Sequence, residues 1–181
     1  MLMQFGHNDG GYIDQPKYRG SIPGIGDSTV VAKKKELPDE LVHSYGWYMD
    51  HFIKQTLDKG AIPVVLSPVP RNRWEADKVI RNNESYGLWA KLIAEKNNVT
   101  FLDLNDSIAT EYQVIGQDKV SLFFSKDHTH TNAKGAMFNA AILSQSLREV
   151  QVLGLRDYLV GQKSIDALLF EALEPKLDPI P

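Results

Sequence analysis

The chain has 181 residues, with 20 Lys+Arg against 23 Asp+Glu for a formal charge of −3, 43% hydrophobic residues and no cysteine. A chain of this size can bury a substantial core without disulfides, and the lack of cysteine excludes thiol catalysis, zinc–thiolate sites and iron–sulfur clusters. The near-neutral balance argues against nucleic acid as a partner: the basic run Lys33, Lys34 and Lys35 is followed at once by Glu36, Asp39 and Glu40, which reads as a solvated loop.

No apolar stretch approaches the roughly 20 residues of a membrane span, and the first residues show none of the regions of a secretory signal. Residues 1–5 read as a short apolar strand. From Asn8 to about Pro38 the density of Gly, Pro, Asp and Lys predicts a long irregular excursion, and loops of that length are usually functional. Apolar positions Val42, Tyr45, Met49, Phe52, Ile53 and Leu57 predict a helix over 42–59, stopped at Gly60. Residues 61–67 form an apolar run with β-branched members, as expected of a strand buried on both faces. A second unit repeats this, with a helix over 86–96 and a strand over 99–104. Alternating helices and buried strands indicate βαβ crossovers and an α/β domain with helices on both faces of a parallel sheet. A helix-like stretch follows over 106–115, then an apolar segment 120–124, a polar cluster 125–132 and a long helix over 132–150. The tail 164–181 is expected to pack as a last helix and then fray. No repeat or linker divides the chain, so 1–181 is read as one domain.

In an open parallel sheet, ligands bind outside the carboxyl ends of the strands. Three polar clusters qualify: Gly6-His7-Asn8-Asp9, the stretch Ser67 to Trp74, and Asp127-His128-Thr129-His130-Thr131. Asp127 and His130 lie three apart, a spacing at which the carboxylate accepts the Nδ1 proton and leaves Nε2 as a general base. A turn residue and a surface histidine are the plainer reading of so short a motif. His128 and His130 could also ligate a metal with Asp127. Asn8, in a turn with Gly6, could offer an amide donor to an oxyanion, although Asn is a common turn residue. Arg71, Asn72, Arg73 and Trp74 combine cations, an amide and an aromatic face suited to an acidic sugar polymer; a solvated loop with Trp74 pinned into the core is the alternative.

The ordered set of strand, G-x-N-D, loop, two βα units and D-x-x-H resembles the SGNH (GDSL-type) hydrolases. The longer strings Gln4 to Asp9, Tyr45-Gly46-Trp47-Tyr48, Ser67 to Trp74 and Asp127 to Thr131 are similar, more narrowly, to the rhamnogalacturonan acetylesterases. The resemblance covers roughly residues 3–145. It implies a three-layer α/β/α fold of flavodoxin-like type, hydrolysis of acetyl esters on a pectic polysaccharide and no cofactor. It also implies an exported protein, and carries over Asn8 and Gly6 to the oxyanion hole, His130 to general base and acid, and Asp127 to orienting that histidine.

The family order puts a nucleophilic Ser in G-D-S after strand one and a Gly donor after strand two, both ahead of G-x-N-D, which begins here at Gly6. The resemblance therefore implies an N-terminally truncated domain lacking two strands, the nucleophile and one oxyanion donor, and hence an esterase with an intact residual half-site and little or no turnover. Its first strand would then be an exposed edge open to self-association. Gly26-Asp27-Ser28-Thr29 spells the nucleophile motif, but the Gly- and Pro-containing stretch before it is no buried strand, which makes Ser28 the weaker candidate. Two other readings stay open: a non-catalytic carbohydrate-binding protein, and a metal-dependent hydrolase using Asp127, His128 and His130.

Overall fold

A computed structural model describes residues 1–9, 20–33, 38–150 and 154–159. They fall into two compact units, residues 1–68 with 82–105, and 69–81 with 106 onward. The tail 164–181 lies outside the described residues, as does most of the loop expected between Asn8 and Pro38.

The first unit is built on a parallel sheet. Its strands are β1 (Leu2–Met3), β4 (Val64–Leu66) and β7 (Thr100–Leu102), in the order β1-β4-β7. Leu2 pairs with Val64, and Val64 in turn with Thr100. Central β4 is buried throughout, as its continuous β-branched run requires, whereas β1 lies at the sheet edge with Leu2 41% exposed.

Two helices belong to this unit, α1 (Tyr45–Asp58) and α2 (Tyr86–Lys96). Met3, Met49, Ile53, Val65, Ala90 and Ile93 form one core cluster with Tyr45 and Ala94. The helix expected over 42–59 begins later, because Ser44 caps it: the Ser44 hydroxyl accepts the Trp47 N–H at 3.1 Å, satisfying a first-turn donor that has no partner within the helix. Val42 belongs instead to β3 (Glu40–His43), paired antiparallel with β2 (Thr29–Ala32). The loop expectation is corrected there by a two-stranded ribbon. Phe52 and Leu57 also differ from the expected inward face; both are exposed, and Phe52 stacks on Phe5 with ring centroids 5.3 Å apart.

The second unit contains the hairpin β5 (Trp74–Glu75) and β6 (Lys78–Val79), the helix α3 (Leu104–Ile115) from Asp106 on, and the helices α4 (Gln117–Ser121) and α5 (Ala133–Glu149). The apolar segment 120–124 is thus the end of α4 and a turn. Its core stacks Phe123 on Phe138 at 5.2 Å and Tyr112 on Phe138 at 6.0 Å. The buried Tyr112 hydroxyl donates to Asn139 Oδ1 at 2.9 Å, meeting the need of a buried hydroxyl for a partner.

Candidate active site

After β1 the chain turns sharply. Gly6 has φ +126°, and a Cβ there would lie 3.0 Å from Tyr86 Cβ, so both backbone sign and space favour glycine. The turn is closed by the Asp9 N–H donating to the Gly6 carbonyl at 3.2 Å. It leaves Asn8 exposed, and Asp9 accepts a 2.8 Å bond from the Ser21 hydroxyl. Burial pushes the Tyr86 hydroxyl up to about 12, with the charge of Asp9 adding to the effect.

Sequence reasoning missed a polar network at the carboxyl ends of β4 and β7. The buried Ser67 hydroxyl donates to Asp103 Oδ1 and accepts the Asn105 N–H, both at 2.8 Å. Asn105 Nδ2 and Asn82 Nδ2 both donate to the Pro68 carbonyl, at 2.7 and 3.0 Å. The available signal was position, since Ser67 and Asp103 each directly follow a strand. The network commits the Ser67 hydroxyl to holding two strand ends together.

In the second unit the segment before α5 is clamped at its base. Phe124 and Thr131 form an antiparallel bridge. The Asn132 N–H donates to the Phe123 carbonyl at 2.8 Å, and Asn132 Oδ1 caps α5 by accepting the Gly135 N–H at 3.1 Å. Within the clamped loop, Asp127 Oδ1 accepts the backbone N–H groups of Thr129 (2.7 Å) and His130 (2.8 Å), while Oδ2 lies 2.8 Å from His130 Nδ1. The hydrogen bond with His130, reinforced by the two backbone donors, holds the Asp127 carboxyl well below the usual carboxylate range. An ionised carboxylate only accepts, so Nδ1 is the donor and, in the neutral imidazole, Nε2 presents its lone pair. The His130 side chain is 80% exposed, leaving that nitrogen accessible.

The second candidate cluster is tied to this loop. The Asn72 N–H donates to the His128 carbonyl at 2.8 Å, and Asn72 Oδ1 accepts the Trp74 indole N–H at 2.7 Å. Asn72 Nδ2 lies 3.4 Å from Ser121 Oγ. Asn72 is therefore engaged on all sides within its own unit, Arg71 and Trp74 are half-buried, and Arg73 is exposed.

Ser28 is exposed and sits just ahead of the antiparallel strand β2, not at the end of a parallel strand. Among the described residues no three His, Asp or Glu side chains form a group able to hold a metal ion. The structure brings together Asp127 and His130, but does not gather His128 with them into a ligand set.

The parallel sheet of the first unit, with its helices, is consistent with a three-layer α/β/α fold. The Bacillus subtilis protein YxiM, solved by crystallography, shares the fold with a TM-score of 0.55 at 24% identity, over 59% of this chain and 31% of that one. By sequence, the chain's curated homologues are rhamnogalacturonan acetylesterases. It is 32% identical to the Emericella nidulans rhamnogalacturonan acetylesterase over 75% of its own length and 55% of that protein. It is 26% identical to the probable rhamnogalacturonan acetylesterase YesY of Bacillus subtilis, over 70% of this chain and 60% of that one. With rhamnogalacturonan acetylesterase RhgT of the same organism it shares 25% identity over 90% of this chain and 66% of that one. The chain thus spans between about half and two thirds of the length of these relatives. No family model matches it.

Proposed function

We propose that the chain carries the site of a carbohydrate esterase that removes acetyl groups from a pectic polysaccharide, with His130 as general base and acid and Asp127 as the group that orients it. The observation that supports this most is the 2.8 Å contact between Asp127 Oδ2 and His130 Nδ1, which leaves Nε2 free at an exposed position. In the family's reaction, whose nucleophilic Ser belongs ahead of G-x-N-D and is assigned to no residue here, Nε2 takes the proton of that serine hydroxyl as its oxygen adds to the acetyl carbonyl carbon. The same proton passes to the sugar oxygen as that C–O bond breaks. Water, deprotonated at Nε2, then adds to the acetyl-serine and releases acetate. Asn8, in the turn set by Gly6, is the amide donor to the oxyanion. Arg71, Arg73 and Trp74 contact the polymer, and Asn72 holds Trp74 in place.

Ser28 is not the attacking serine in this reading, because an exposed residue before an antiparallel strand has no fixed direction toward a base. The test is hydrolysis of p-nitrophenyl acetate, an ester activated enough for an exposed imidazole to attack directly. The native chain exceeds His130→Ala, Asp127→Asn reduces the rate, and Ser28→Ala leaves it unchanged. Equal rates for the native chain and His130→Ala overturn the base assignment. Loss of the rate in Ser28→Ala makes Ser28 the nucleophile. The reading also places self-association at the edge strand β1; sedimentation showing only monomer at every concentration removes that part.

A further inference from the structure

A cleft of about 470 Å³ opens in the second unit between the β5–β6 hairpin and the segment joining α3 to α4, and of its lining the assignments above use Trp74 alone. Its size falls in the range of small-ligand sites. Trp74 forms one wall, and its indole is fixed in orientation by the 2.7 Å bond from Nε1 to Asn72 Oδ1. An ordered, half-exposed aromatic face at a cleft wall is a platform for an amphipathic ring.

The lining also supplies polar groups. Gln113 Oε1 accepts the Val79 N–H at 3.1 Å and Arg81 Nη1 at 2.7 Å. Both partners are donors, so the amide orientation is set and Nε2 occupies the other arm, a donor of fixed direction in the cleft lining. Gln117 adds a second, exposed amide. The hairpin tip bears backbone strain: Ala76, at the cleft rim, has φ +54°, a region where a non-glycine residue is held only by its surroundings and which clusters at functional sites.

Charge decides which ring fits. The lining holds two carboxylates, Asp77 and Asp118, against one ammonium, Lys119, a net charge of −1 that repels an anionic ligand. We infer that this cleft is a saccharide subsite for a neutral sugar ring of a polymer that also carries acidic sugars, with the ring on Trp74 and its hydroxyls on Gln113 and Gln117. The inference rests on the carbohydrate reading above and deepens it. A hydrogen-bonded path of one residue joins the subsite to the dyad loop, from Trp74 through Asn72 to the His128 carbonyl. The cleft therefore belongs to the unit that carries the general base.

The experiment is an NMR titration of the full chain with a neutral rhamnose-containing trisaccharide and, separately, with trigalacturonate at low salt. The neutral saccharide shifts the Trp74 indole N–H and the backbone amides of residues 113–119, and trigalacturonate binds there at least several-fold more weakly. Gln117→Ala, an exposed change that leaves the fold intact, weakens the neutral saccharide, and Trp74→Ala weakens it by about tenfold or more. Asp77→Asn with Asp118→Asn narrows the preference for the neutral probe. No shifts at Trp74 and 113–119 with the neutral saccharide, or equal binding of trigalacturonate, overturns the inference. Aryl-ester hydrolysis read on the same samples separates the two proposals. Hydrolysis dependent on His130 without binding in the cleft refutes the subsite alone, and binding without such hydrolysis refutes the esterase reading alone.

Discussion

Gly135, in the first turn of α5, is the packing hinge beneath the Asp127–His130 loop, and Gly135→Ala tests that role. In an isolated helix the change is favourable by up to about 1 kcal/mol, because alanine loses less backbone freedom than glycine. Here the new Cβ would lie 2.7 Å from Phe123 Cβ, 2.8 Å from the Phe123 carbonyl oxygen and 3.1 Å from Thr131 Cβ. None of these is the tip of a flexible side chain. Relief requires moving the Phe123 carbonyl, which accepts the Asn132 N–H at 2.8 Å, so overpacking of about 1–3 kcal/mol comes with the loss of a bond contributing about 1 kcal/mol. The repulsive side wins, and we expect net destabilisation of about 1–3 kcal/mol, or roughly 2–4 °C in Tm for each kcal/mol. Urea unfolding with an unchanged m-value measures it. Ala136→Gly, one position on and exposed, is the control and costs only about the 1 kcal/mol of propensity. A Gly135→Ala chain as stable as the native one, or more so, refutes the close-packing argument.

Other expectations follow from buried and local hydrogen bonds. Tyr112→Phe leaves Asn139 Oδ1 buried without its 2.9 Å donor and should cost about 1–3 kcal/mol in thermal or urea unfolding; an unchanged midpoint removes that role. Burial raises the Tyr112 hydroxyl from 10.0 to about 12. Its contribution is complete below the unfolded value of 10.0 and is lost as the pH climbs toward about 12, so Tyr112→Phe should flatten the alkaline fall in stability over that window. An identical alkaline fall in both chains contradicts this. The lowered Asp127 carboxyl works in the opposite sense: its stabilising bonds are intact above the ordinary carboxylate range and fail as the pH drops through its depressed value. Carboxyl NMR should find its titration moved back toward the ordinary range in His130→Ala, and no movement would show that His130 is not its main partner.

Features set by nearby residues were legible in the sequence. The β-branched run at Val64 and Val65 announced a doubly buried strand, and the Asp127–His130 spacing announced a contact that needs only one turn of chain. Features set by distant pairing were not. Thr29–Ala32 buries only Ala32, so no alternation marked it as the partner of Glu40–His43, and Val42 was absorbed into a helical pattern that Ser44 starts three residues later. The β5–β6 hairpin carries no glycine at its tip, because Ala76 itself takes the positive φ, so the usual turn signal was missing. Asn72 shows the same limit: its residue type suggests a sugar contact, while its bonds to His128 and Trp74 depend on segments more than 50 residues apart in the first case and on hairpin geometry in the second.

The hydrogen bonds between Asp127 and His130 close within four consecutive residues, while the loop around them is held at Phe124 and Thr131 and at the His128 carbonyl, which accepts the Asn72 N–H. The contact between the two side chains therefore depends on their own turn, and its placement depends on those anchors. A contact that closes so short a loop costs little chain entropy to form.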